Sequence, residues 1–236
     1  MKEVIAIIAK KKQEFARLPL FDFLANKKIH PRQRLIFSPV LAPLALELSD
    51  LNKYVLRESG SNNPVQELLN KHTYKESYYW HSCLENLEKL GLNQSISYGD
   101  LRFLWGEETN KTRSLCSVLE RLAFQAPPLQ KLVLAEVLEV TAKVFFDAVL
   151  RVAMEIQDIP KKERAYLGGG YLRLENHRIF NHPEMQHVLS ESNISDREWQ
   201  ESLELAETVF YLVTEAMDEL LENAQTNSCN TVLQVA

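Results

Sequence analysis

Lys75 and Tyr79 stand one helical turn apart in the stretch HTYKESYYWHSCLENLEKLG, residues 72–91. If that stretch is one helix, it presents an ammonium and a phenol to the same side. Such a pair can orient a polar substrate or move protons, but neither group is an ordinary metal ligand. Glu139 and Lys143 are spaced i, i+4 in the stabilising order, with Glu136 and Asp147 close in sequence. From spacing alone they read first as a solvated stripe, with an interior placement of the acid as the alternative. Glu175 and Arg178, spaced i, i+3, offer the same choice. Glu76 and His81 are five residues apart, roughly 140° round a helix, and so do not easily converge on one ion. His182 and His187 lie around Pro183 in a predicted loop, and His177 follows Glu175.

Composition narrows the classes. The 236 residues, 45% hydrophobic and 25% charged, suit one globular domain over 1–222 with a polar tail over 223–236. A formal net charge of -5 argues against a nucleic-acid partner. The basic run Lys10-Lys11-Lys12 reads as a solvated helix face. Cys83, Cys116 and Cys229 are odd in number and lack CxxC spacing, which fits a reducing cytosol and no thiolate metal site. Lys2 and Glu3 flank only a brief apolar run, so no signal peptide is expected, and no apolar stretch is expected to reach membrane-span length. Gly168-Gly169-Gly170 lacks the Lys-Ser/Thr of a phosphate loop, and neither Gly-x-Ser-x-Gly nor His-Glu-x-x-His occurs.

The elements that must position these residues are helical throughout. Helices are predicted over 2–18, 20–27, 31–56, 64–90, 107–123 and 129–156, with a further stretch over 161–178 and a last helix opened by a Ser195-x-x-Glu198 capping box. Pro39 and Pro43 bend the third of these, and such a bend opens room for a pocket. Asn63-Pro64 starts the central helix and Gly91 ends it. With no alternating strand pattern, the prediction is an all-α multi-helical bundle of about seven to eight helices.

Three segments carry a family resemblance. Trp80, Leu84, Leu87, Leu90 and Gly91 on the central helix, Glu139-Val140-Thr141-Ala142-Lys143-Val144-Phe145-Phe146, and Tyr166 through Arg178 resemble the haem-oxygenase-like di-iron oxidases and oxygenases. Within these the CADD-type proteins are nearer in pattern, and TenA and PqqC more remote. The resemblance implies a haem-oxygenase-like bundle, a dimer, and redox chemistry on a small organic molecule. It also implies that the family's ligand positions fall on Lys75, Tyr79, Glu139, Tyr171, Glu175 and Arg178. Only Glu139 and Glu175 keep a metal-binding type there, so no metal and no other cofactor is expected unless that alignment is wrong, in which case iron is.

In the metal-free reading, Lys75 and Arg178 balance Glu139 and Glu175, and Tyr79 and Tyr171 fill the imidazole space as hydrogen-bond donors. No residue is assigned a catalytic role. Three functions remain open: an enzyme with a small organic ligand in a central cavity and no di-iron centre, a non-enzymatic protein that binds a ligand or partner, or an iron oxidase with a rearranged ligand set. The expected location is the cytoplasm, without membrane association.

Overall fold

The computed structural model describes residues 2–77, 79–92, 95–160, 179–192 and 194–226. It is helical: α1 (Lys2–Phe15), α2 (Pro19–Ala25), α3 (Pro31–Arg34), α4 (Leu41–Asp50), α5 (Pro64–Glu76), α6 (Tyr79–Lys89), α7 (Tyr98–Leu104), α8 (Asn110–Ala123), α9 (Pro128–Ala153), α10 (Pro183–Glu191) and α11 (Asp196–Gln225). Short 3-10 turns at Ser38–Val40, Glu107–Thr109 and Ile179–Asn181 and a π-helical turn at Leu51–Leu56 join them. No strand occurs among the described residues, and the chain is an all-α multi-helical bundle.

Helix α9 is the centre. Leu132, Val133, Leu134, Val137 and Val140 are all buried, so it is apolar nearly all round, as a helix surrounded by others must be. Helix α11 packs along it and also meets α8 and α1, while α4 crosses α6 and α8. The capping box at the start of α11 forms as its spacing predicts: Glu198 N–H donates to Ser195 Oγ at 3.3 Å, and Ser195 N–H donates to the Glu198 carboxylate at 2.8 Å. Asn63 caps α5 by accepting from the N–H of Val65 at 2.9 Å and of Gln66 at 3.2 Å.

The stretch 31–56 bends more than two prolines alone predict. It is divided into α3, a 3-10 turn through Pro39, α4 and the π turn. Within the π turn Asn52 Nδ2 donates to Leu48 O at 2.9 Å, taking a carbonyl that regular helix bonding would use. Contrary to the sequence expectation, this 26-residue stretch is long and apolar enough to cross a membrane. It places Phe37, Val40, Leu44, Leu51 and Leu56 in the core of the bundle.

The predicted continuous helix 64–90 is two helices. Helix α5 stops at Glu76 with Ser77 as its cap, and α6 begins at Tyr79. Ser77 Oγ donates to Thr73 O at 2.7 Å, a bond back to the preceding turn of the kind that bends helices, and the Ser77 carbonyl accepts from Ser49 Oγ at 2.6 Å. Helix α6 ends at Gly91 as expected: its φ of +73° suits glycine, and Leu92 N–H reaches Leu87 O at 2.8 Å while Gly91 N–H reaches Glu88 O at 2.9 Å, a Schellman closure.

Two further differences stand at the C-terminal end. The segment around His182 and His187, predicted as loop, is helix α10, with Pro183 in its first turn where a missing N–H costs nothing. Helix α11 continues past 222: Asn223 is buried and donates Nδ2 to Glu108 O at 2.8 Å.

Candidate functional site

Helix α5 is held in register by the chain just before it. Gln66 Nε2 donates to Leu56 O at 2.8 Å, and Asn70 exchanges two bonds with the backbone of Glu58, at 2.9 and 2.8 Å. Arg57 reaches Ser77 Oγ at 2.8 Å and lies 3.6 Å over the Tyr74 ring. The buried positions Val65, Leu69 and Thr73 set the inward face of α5, and that face carries His72 and Glu76, one turn apart.

Helix α9 supplies Glu139 to the same place. His72, Glu76 and Glu139 each offer a donor atom within 4.8 Å of the others, and His72 Nε2 lies 3.1 Å from Glu139 Oε1. Glu139 is 6% exposed and Glu76 8%, so the solvated-stripe reading of Glu139 does not apply. Glu136, one turn before Glu139 and fully buried, accepts a hydrogen bond from Phe180 N–H at 3.2 Å. Burial works against a charged imidazole at His72. The hydrogen bond that His72 donates to Glu139 and the charges of Glu139, Glu76 and Glu136 outweigh it, and raise the His72 pKa above its ordinary value.

The three side chains line one cavity of about 240 Å³ between α4, α5, α6, α8, α9 and α11. Most of its wall is apolar, including Leu44, Leu48, Leu87, Leu138, Phe145 and Met217. A small number of polar groups in an apolar hollow is the usual form of a small-molecule site. Cys83 also lines it, and burial pushes its thiol up to about 11, so it is a neutral wall group and not a nucleophile.

Of the residues predicted for this site, Glu139 is in the wall. Lys75 and Tyr79 have their backbones in α5 and α6, on either side of the break at Ser77, so the helical-turn argument that paired them does not hold. Their side chains, like the whole of Tyr171, Glu175 and Arg178, lie outside the described residues, as do Gly168–Gly170, His177 and Cys229. Glu76, which helix geometry already set apart from His81, stands beside His72, and His81 is exposed on α6 and stacks on Trp80 at 3.5 Å. Sequence reasoning missed His72. The signal was there in the i, i+4 spacing of His72 and Glu76.

One imidazole and two carboxylates are a donor set that suits a divalent first-row metal. Two ligand atoms each about 2.1 Å from a common ion and near a right angle stand about 3 Å apart. The His72–Glu139 separation therefore suits shared coordination as well as a direct hydrogen bond. These described donors fit one ion; a second needs ligands they do not provide.

No family model matches the sequence, and no curated protein matches it. Among solved structures, it is similar to a domain of unknown function with a heme oxygenase-like fold from Shewanella denitrificans, at 13% identity and a TM-score of 0.70, over 96% of this chain and 94% of that one. At that identity the likeness speaks to the backbone alone: the chain has a haem-oxygenase-like fold.

Proposed function

We propose that this protein binds a small organic molecule in the central cavity and acts on it in a redox-type reaction, with His72, Glu76 and Glu139 holding one divalent metal ion at the polar end. The observation that carries this is the convergence of three donor groups on the wall of an otherwise apolar cavity. A bound ion of this kind supplies Lewis acidity and, if iron, electron transfer. The chain's own part is to exclude water with the apolar wall, to fix the two carboxylates on separate helices, and to orient the imidazole. His72 must be neutral to ligate, and the three carboxylates that raise its pKa disfavour that form, so ion and proton compete there. The test is metal content, by mass spectrometry, of protein expressed with added iron. About one ion per chain, lost in His72→Ala, supports this reading, and no ion in the unaltered chain sinks it.

A second reading is favoured by the same 3.1 Å contact. A protonated His72 against Glu139 already pairs two of the groups without a cation. The family resemblance alone would add Lys75, Tyr79, Tyr171, Glu175 and Arg178 to such a metal-free interior, which suits either metal-independent chemistry or binding alone. The two readings part on whether iron, manganese or cobalt raises the melting temperature. We further infer a homodimer in the cytoplasm, a setting that suits the free thiols Cys83 and Cys116; sedimentation of the purified chain tests the dimer.

A further inference from the structure

The cavity is long. On α9 its wall runs from Ala135 to Val149, fourteen positions and so about 21 Å at the rise of a helix. The facing wall is the stretch from Leu35 through α4 to Leu56. Two contacts fix how that stretch lies: Lys131 Nζ stands 3.6 Å from the Glu58 carboxylate, and the rings of Phe37 and Phe145 are 6.2 Å apart. The stretch therefore runs antiparallel to α9, with Leu56 toward Ala135 and Leu35 toward Val149. Helix α6 gives a third wall, from Ser82 to Leu90. Arg32 donates to the Leu90 carbonyl and, at 2.6 Å, to Asp158 beyond the end of α9, which puts Leu90 at the Val149 end. Ala135 and Val149 have short side chains, so the length belongs to the hollow and not to the reach of its lining.

The two ends differ in chemistry. His72, Glu76 and Glu139 stand toward the Ala135 end, since Glu139 is one turn past Ala135 and ten positions, about 15 Å, short of Val149. The far end is made of Leu35, Leu41, Leu90, Phe145, Phe146 and Val149, and Ser38 there turns its hydroxyl to Leu35 O at 2.7 Å. A volume of about 240 Å³ drawn out over this length leaves room for one slim chain. A compact hollow of about 150 Å³ holds one benzene, so this one suits on the order of ten non-hydrogen atoms. Three bonds of an extended chain advance about 3.6 Å, so about twelve bonds reach from Glu139 to Val149. Volume and length agree on the size of the occupant.

We propose that the ligand is a single unbranched aliphatic chain of about ten carbons, lying along α9 with its functional end at His72, Glu76 and Glu139 and its methyl end at Phe146 and Val149. This rests on the reading of the cavity as a small-molecule site. The apolar end recognises length alone, so the inference holds with or without an ion at His72 and for any charge of the functional end. Val149 is then a specificity-determining residue, since it marks the far end and sets the longest chain accepted.

The experiment is calorimetric titration with the straight-chain 1-alkanols from hexan-1-ol to dodecan-1-ol, into both iron-loaded and chelator-treated protein. Each methylene added at the apolar end should tighten binding about fourfold, up to about ten carbons, after which the gain should stop. Val149→Phe fills the far end: it should weaken decan-1-ol at least about tenfold and leave hexan-1-ol within about twofold. Val149→Ala should carry the gain about one carbon further, and this truncation does not depend on a larger side chain being accommodated. Helical circular dichroism checks that each variant folds. No binding of any of the alcohols, a gain that runs on to dodecan-1-ol in Val149→Phe, or an equal loss for hexan-1-ol and decan-1-ol in that variant overturns the inference. Ion content measured on the same samples separates the outcomes. A chain-length limit in protein that takes up no ion removes the metal reading alone, and an ion without that limit removes this inference alone.

Discussion

Glu219 in one region and Glu76 with Glu139 in another are buried carboxylates put to opposite uses. Near the end of α11, Glu219 accepts from the backbone N–H groups of Lys111 and Thr112 at 2.7 and 2.8 Å. It caps the start of α8 from another helix, and its charge is spent on the two donors that a helix N-terminus leaves open. At the cavity, Glu76 and Glu139 face one another and His72 across a hollow. A carboxylate closed by backbone donors fixes the fold. Carboxylates gathered with an imidazole on a cavity wall keep a capacity for chemistry that a closed helix cap lacks.

The comparison is easiest to break at its structural end. Glu219→Ala removes two charge-assisted hydrogen bonds and orphans two N–H groups, so it should lower the unfolding free energy by about 3 kcal/mol in urea titration. It should leave ion content unchanged. A loss under about 1 kcal/mol would place Glu219 among ordinary surface acids.

The cavity end should respond to metal more than to folding. Glu139→Gln in chelator-treated protein, at a pH above the raised His72 value, is expected to stay within about 1 kcal/mol of the unaltered chain, because the amide oxygen still accepts from a neutral imidazole that carries no charge to pair. In the presence of metal the same variant should lose affinity by about a hundredfold, seen as the disappearance of metal-induced thermal stabilisation. Equal destabilisation with and without metal would make Glu139 a structural group like Glu219.

Titration sharpens the contrast further. The pKa of His72 is raised in the folded protein, so its charged form contributes stability that is fully present below the ordinary imidazole value of about 6.5 and is lost as the pH rises through the raised folded value. The melting temperature of ion-free protein should therefore fall across that range, and this fall should vanish in His72→Gln. With metal bound the trend should reverse, since the proton no longer competes for the imidazole. A melting profile that is flat across this range in the ion-free chain would remove His72 from any charged pairing.

The smallest effect concerns the break between α5 and α6. Ser49→Ala removes the donor to the Ser77 carbonyl and should cost about 1 kcal/mol. It should also weaken ion binding severalfold, because the end of α5 carries Glu76. Unchanged ion binding would show that the break does not hold the site.

Much of the architecture could be read from local chemistry. The Ser195–Glu198 box, the Asn63 cap and the Gly91 stop each depend on a few neighbouring residues, and each forms at its predicted place. Helix α10 was hidden because Pro183 looks like a breaker from one side and an N-terminal residue from the other. The break at Ser77 was hidden for a different reason: it is made by Ser49 and Arg57, which are distant in sequence, and its loss from view paired Lys75 with Tyr79 across a helix that does not continue. Tyr171, Glu175 and Arg178, outside the described residues, remain tied to the family resemblance alone.

By itself the sequence determined the all-helical class and most helix starts, since periodicity and capping act over one or two turns, while Glu139 entered the candidate site through the family resemblance and not through its spacing. Only the tertiary structure decided which face of α5 turns inward and that His72 and Glu76 meet Glu139 there. Glu139 lies 63 positions or more along the chain from either of the other two. Nothing local ties them; the packing of α5 on α9 around a cavity does.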